Sequence, residues 1–173
     1  MDDYLDQNYD KLFKENSLID KIDKGIVPYT LLIFSFACIL DIKTAVSLFL
    51  ASYIIGMFSN LYGYMPTGLY GYQESIIVFF VSVLFLKGEL ISSLFIIISI
   101  QLLDDYIDYK KDFSKHNLAF VFGKFECLLL AIIFFFISLY FDYLKSILSF
   151  LSAFAIVYII KLWESSKGDA ADN

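Results

Sequence analysis

The sequence contains no arginine: its thirteen basic residues are all lysines, against nineteen acidic residues. No nucleic-acid partner is expected, because neutralising phosphates needs clustered basic side chains. Cysteine is scarce, and both Cys38 and Cys127 lie inside apolar runs, where a thiol behaves as a small hydrophobic group. Neither a disulfide framework nor a thiolate metal site is indicated. The first residues are acidic and lack the basic stretch and apolar run of a signal peptide.

Apolar side chains dominate what is present. Of 173 residues, 59% are hydrophobic and 19% are aromatic, and the mean hydropathy is +0.69. A soluble domain of this length has too small an interior for so much apolar side chain, and a disordered chain has far less of it. The apolar runs are also long enough to lie in lipid. We therefore expect an integral membrane protein of the all-α class, a polytopic bundle of transmembrane helices.

Six apolar runs suggest about six transmembrane helices. The runs cover residues 26–40, 44–62, 75–86, 90–103, 118–141 and 146–162. The third and fourth runs are short and could form one bent span across Lys87-Gly88-Glu89. Six spans place ten of the thirteen lysines on one side of the membrane, which the positive-inside rule makes cytoplasmic. The prediction divides the chain into a cytoplasmic segment at 1–25, a transmembrane bundle at 26–163 and a disordered tail at 164–173.

One acidic motif occurs twice. The spacing DDxxDxxxD is found at residues 2–10 and again at 104–112, and two apolar runs follow each copy, which indicates an internal duplication. On a helix, carboxylates at this spacing line one face and repel one another, so a cation is expected there. Hard oxygen ligands suit Mg²⁺, although such aspartates can also mark a solvated helix end. The predicted Mg²⁺ ligands are Asp3, Asp6, Asp10, Asp104, Asp105, Asp108 and Asp112.

The paired motifs resemble those of the UbiA superfamily of intramembrane prenyltransferases. Residues 114–119, SKHNLA, and then Phe122-Gly123-Lys124 are similar to the stretch that follows the family's second motif, and residues 70–74, YGYQE, resemble its Gly-x-Gly-Glu segment. The resemblance implies a UbiA-like helical bundle with an internal duplication. Family members normally have two helices before the first motif. Here the first motif begins at residue 2. Three explanations are open: a start site assigned too late, a truncated paralogue, or a form completed by another subunit or a homo-oligomer.

What the resemblance implies about function is Mg²⁺-dependent transfer of a polyprenyl group from its diphosphate to a hydrophobic acceptor, such as a quinone precursor, within membrane lipid. Asp105, Asp108 and Asp112 are then the expected catalytic residues. The expected diphosphate-binding residues are Lys11, Lys110, Lys111 and Lys115, which can equally be topology signals. The acceptor-side candidates are Glu74, Tyr70 and His116. A truncated, non-catalytic subunit that binds prenyl diphosphate or a partner protein is the alternative function.

Overall fold

A computed structural model describes residues 26–59, 63–65, 67–109 and 118–171. Within these residues the chain is helical, and the only β-type pairing is an isolated antiparallel bridge between Tyr64 and Tyr70. This confirms the all-α class. The described helices are α1 (Ile26–Leu40), α2 (Ile42–Ser59), α3 (Gly71–Leu86), α4 (Gly88–Asp108), α5 (Leu118–Phe122), α6 (Lys124–Phe141) and α7 (Tyr143–Ala171).

Local chemistry separates the helices at the charged breaks that the sequence predicted. The Asp41 carboxylate accepts hydrogen bonds from the Lys43 amide at 3.0 Å and the Thr44 hydroxyl at 2.7 Å, and so caps the start of α2. Asp142 caps α7 in the same way, by accepting from the Lys145 amide at 3.0 Å. Such caps satisfy amides that have no partner within their own helix.

Two helix boundaries differ from the sequence prediction. The apolar run 118–141 is not one helix, because Gly123 separates α5 from α6 with a φ of 102°. Near the C-terminus, α7 continues to Ala171 and so includes most of the segment expected to be a disordered tail. The short runs around Lys87 do form separate helices, since Lys87 has a φ of 47° and ends α3.

The chain divides into two compact units with the boundary between Ile97 and Ile98, shortly before the second acidic motif. In the first unit, α2 packs against α3, and the Ser75 hydroxyl donates to the Ile54 carbonyl oxygen at 3.2 Å. The Ser93 hydroxyl of α4 donates to the Ser47 hydroxyl of α2 at 2.8 Å. These bonds connect neighbouring helices through small side chains, which allow close approach of the backbones.

The second unit has a small core at the level where α4 ends. Leu102, Ala119, Cys127 and Ala131 are buried there together. The Ser99 hydroxyl of α4 donates to the Ala131 carbonyl oxygen of α6 at 2.8 Å, and the Cys127 thiol donates to the Leu102 carbonyl oxygen at 3.1 Å. The core therefore holds the start of α6 against the last turns of α4.

Polar and apolar side chains are distributed as expected for a protein in lipid. Among the described residues eight serines are buried, whereas large apolar side chains such as Leu40, Phe85 and Tyr140 are more than 80% exposed. Contiguous exposed apolar surface on this scale marks contact with a membrane or a partner. Two helical segments, Gly88–Ile107 and Lys124–Phe141, are long and apolar enough to cross a bilayer. The apolar segments of the other described helices are shorter, so the count of six spans stays a prediction.

Candidate functional site

The second acidic motif begins at the end of α4, where three of its aspartates occupy the last turns of the helix. Asp104 is exposed, and Asp105 is half-buried. The Asp105 carboxylate accepts a hydrogen bond from the Leu118 amide at 3.0 Å, so it caps the first turn of α5. Asp108 is the last residue of α4, and its side chain lies outside the described part. The structure therefore gives Asp105 a structural contact in addition to its predicted role as a ligand.

The turn between α5 and α6 brings a lysine to the same end of α4. Gly123 donates its amide to the Ala119 carbonyl oxygen at 3.2 Å and accepts from the Cys127 amide at 3.0 Å. Its positive φ favours glycine, because a side chain is rarely compatible with that conformation. A Cβ at this position would also overlap a carboxylate oxygen of Glu126, which folds back over the glycine. Lys124 follows directly as the first residue of α6.

Aromatic rings surround the Lys124 ammonium group. Its Nζ lies 4.9 Å from the centre of the Tyr106 ring and 5.7 Å from that of Tyr109. Tyr109 in turn stacks on Phe120 of α5, with 4.8 Å between the ring centres. A cation over an aromatic face is attracted by the ring's negative face. The lysine is thereby held beside Tyr106, the residue that follows Asp105 in the chain.

An apolar groove opens next to the aspartates. It is shallow and partly open to the surroundings, and its cavity volume is about 30 Å³. Asp104 is one of the residues that border the groove, and the wall is almost wholly apolar. The groove is therefore a small apolar surface beside an aspartate. The apolar lining residues are Ile100, Leu103 and Ile107 of α4 and Ala153, Phe154 and Val157 of α7.

The chemistry of the α4 end fits Mg²⁺, which takes carboxylate oxygens and commonly needs only one or two carboxylates alongside water and substrate phosphate oxygens. Asp104 and Asp105 each supply one carboxylate, but successive side chains of a helix do not face each other. Over the residues that the structure describes, no group of three His, Cys, Asp or Glu side chains could hold a metal ion. Either aspartate would bind Mg²⁺ only with the help of a phosphate-bearing substrate.

Most of the other predicted site residues lie outside the described residues. The structure accordingly does not test whether the two acidic motifs meet. This group comprises Asp3, Asp6, Asp10 and Lys11 of the first segment and Lys110, Lys111, Asp112, Lys115 and His116 after α4.

The acceptor-side candidates Tyr70 and Glu74 lie in the first unit. The Tyr64 and Tyr70 hydroxyl groups are 2.6 Å apart, and their rings are in contact. This hydrogen bond raises the pKa of Tyr70, with smaller contributions from burial and from Tyr72. Glu74 occupies the first turn of α3 beside the Tyr53 hydroxyl, and its Oε2 is buried with no hydrogen-bond partner among the described residues. A buried oxygen of this kind is suited to a hydrogen-bond donor.

Three residues of these sites were missed as site residues by sequence reasoning. Tyr53 and Tyr106 stand within apolar helices, where tyrosine is ordinary, and Tyr109 directly follows α4. Tyr106 and Tyr109 lie inside the second acidic motif, and that position was a usable signal.

Comparison with protein-family models, with curated proteins and with solved structures finds no match for this chain. The resemblance to the UbiA superfamily therefore stands on the motifs quoted above.

Proposed function

We propose that this protein transfers a prenyl group from its diphosphate to an acceptor within the membrane, as the UbiA resemblance implies. The observation that supports the proposal is the position of Asp104 in the lining of an otherwise apolar groove. A prenyl diphosphate likewise has an apolar part and a charged part, because its long hydrocarbon chain is attached to a strongly charged head group. The groove would contact the hydrocarbon chain. The aspartates at the end of α4 would bind the head group through a metal ion.

In the proposed reaction, the bond between C1 of the prenyl chain and the diphosphate oxygen breaks, and its electron pair leaves with the diphosphate. The acceptor forms a new bond to C1 and loses a proton, which the released diphosphate can accept. When bound, Mg²⁺ neutralises the diphosphate and so makes it a better leaving group. Asp104 and Asp105 are the residues that would hold that ion. The apolar walls, including Leu103 and Phe154, would contact the hydrocarbon chain.

The test is a transfer assay on the purified full chain in detergent, with radiolabelled geranyl and longer diphosphates, Mg²⁺ and a panel of quinone precursors. Prenylated product and released diphosphate are both measured. We expect Asp105→Asn to lower turnover by about 100-fold, the scale of removing one electrostatic contact in a transition state. The substitution keeps an oxygen that can accept from the Leu118 amide, so the cap survives.

Asp142→Asn is the matched control. Asp142 also caps a helix in the second unit. That helix is α7, which starts after α6 and not at the end of α4. Turnover should therefore stay at the wild-type level in this variant. Equal losses in both variants would indicate misfolding, and absence of both transfer and diphosphate release in the wild type would refute the proposal.

A second candidate function is binding of a prenyl diphosphate without turnover. The observation that favours it is that the described residues contain no group of three His, Cys, Asp or Glu side chains that could hold a metal ion. In that case Mg²⁺ and a non-hydrolysable prenyl diphosphate analogue would raise the melting temperature, while no product forms.

A further inference from the structure

We propose that α5 and the first turn of α6 form an interfacial element that binds phospholipid, with apolar side chains among the outer acyl carbons and Lys124 at the lipid phosphates. The proposed reaction does not use this surface. Three large apolar side chains carry the inference, because each is more than half exposed: Val121, Phe122 and Phe125. Exposed apolar groups so close together in the chain mark contact with a membrane or a partner.

The place of α5 between two candidate spans favours lipid as the occupant. The span Gly88–Ile107 ends before α5, and the span Lys124–Phe141 begins two residues after it. When two consecutive helices cross a bilayer, the chain between them lies at one membrane face. The exposed apolar side chains therefore occur where the chain leaves the bilayer and enters it again.

The contacts of α5 with α4 set its depth. The Leu118 amide donates to Asp105, two residues before the span ends at Ile107, and Ala119 shares a buried core with Leu102, five residues before that end. A helix rises about 1.5 Å per residue, so α5 begins about 3 to 8 Å inside the end of the span. Interfacial helices bury their apolar face about 5 to 10 Å into the boundary between headgroups and acyl chains. The two depths coincide.

Lys124 fits the charged layer just outside this boundary. Its side chain is exposed, and its Nζ lies 4.9 Å from the centre of the Tyr106 ring. Tyrosine is enriched at the bilayer boundary, and a lysine near a helix end extends its ammonium group towards the headgroups. Lipid phosphates supply the opposite charge at that level. A purely apolar protein surface docked on α5 would supply none, which favours phospholipid over such a partner.

The experiment measures tryptophan fluorescence of the full chain in phosphatidylcholine nanodiscs. Trp163 is the only tryptophan, so Trp163→Phe gives a background in which Phe122→Trp and Phe125→Trp report on this element. Three quenchers are compared: lipid brominated close to the headgroup, lipid brominated near the end of the acyl chain, and iodide in the water. We expect both probes to lose the most emission with the first lipid and the least with iodide.

Ile132→Trp in the same background is the matched control. Ile132 is also exposed, but it lies near the middle of the span Lys124–Phe141, so this probe should lose the most emission with lipid brominated near the chain end. Adding Lys124→Glu to Phe125→Trp replaces attraction to the phosphates by repulsion and should raise iodide quenching by about 2-fold or more. Lys124→Arg should leave it unchanged. Circular dichroism checks that each variant keeps its helical content.

Each other outcome overturns a defined part of the inference. Strong iodide quenching of both probes would place the element in water, and protection from all three quenchers would show that protein covers it. Preference of both probes for the chain-end bromines would indicate a single span over 118–141. Any of these results overturns the interfacial element, as does an Ile132→Trp probe that neither lipid quenches. An unchanged Lys124→Glu variant would overturn the phosphate contact. None of these measurements involves prenyl transfer, so they leave the proposed function to its own assay.

Discussion

Replacing Gly123 by alanine tests the turn that places Lys124. The glycine has φ 102° and ψ 147°, a combination that residues with a side chain rarely adopt. An added Cβ would also overlap the Glu126 carboxylate. We expect Gly123→Ala to destabilise the fold, because either the backbone is strained or the turn rearranges.

The magnitude follows from these two effects. Holding a residue with a Cβ in this region costs about 1 to 3 kcal/mol. Alanine recovers about 0.4 to 1 kcal/mol by restricting the unfolded chain. The Glu126 contact adds little, because the end of a flexible side chain can move away. The free energy of unfolding should therefore fall by about 1 to 2 kcal/mol in total.

The assay is denaturant-induced unfolding in detergent, followed by circular dichroism. Gly88→Ala is the matched control, since a Cβ at Gly88 meets nothing within 4 Å and its φ is not positive. That variant should be as stable as the wild type or slightly more so. The double variant Gly123→Ala/Glu126→Ala separates the two effects. Full recovery there would attribute the loss to the side-chain overlap, and an unchanged Gly123→Ala would refute the reasoning about the backbone.

Three further predictions concern single contacts. Ser99→Ala removes a buried hydrogen bond to α6 and should lower the free energy of unfolding by about 0.6 to 1 kcal/mol. Ser152→Ala alters an exposed intrahelical bond and should not change the free energy of unfolding. Denaturant titration compares the two variants. Leu102→Ala leaves a cavity in the core of the second unit and should cost about 2 to 5 kcal/mol in the same titration, so a cost below 1 kcal/mol would contradict the packing described. The hydrogen bond between the Tyr70 and Tyr64 hydroxyl groups raises the pKa of Tyr70 above its ordinary value of 10.0, so the stabilisation by this bond is fully present below that pH and is lost as the pH rises through the raised pKa. Tyrosinate absorbance should show one tyrosine titrating earlier in Tyr64→Phe than in the wild type, and coincident curves would count against the bond.

The helix ends at Asp41, Lys87 and Asp142 could be predicted from the sequence because local chemistry determines them. A capping carboxylate or a charged break within an apolar run acts on residues only a few positions away. Gly123 could not be interpreted in this way, since glycine inside an apolar run is common in membrane helices. Only the contact with Glu126 and the positive φ show that it ends a helix.

The candidate site was predictable in its composition but not in its contacts. The spacing of Asp104 and Asp105 within the motif indicated a charged helix end, and the structure places both there. That Asp105 also caps α5 depends on Leu118, thirteen residues away, and on the path of the chain between them. The position of Lys124 over Tyr106 likewise depends on tertiary packing, which residue spacing in the sequence does not contain.

The buried serines reverse the usual expectation for a mutational scan of this protein. In a water-soluble domain, exchanging one aliphatic residue for a smaller one is damaging, and polar positions tolerate change. Here the sensitive positions should be serines such as Ser47 and Ser93, where even a leucine of favourable hydropathy would force two helices apart. Positions such as Leu40 and Phe85 should accept many apolar replacements. A variant library of this chain is therefore best interpreted by side-chain volume at each position, and hydropathy will rank its members poorly.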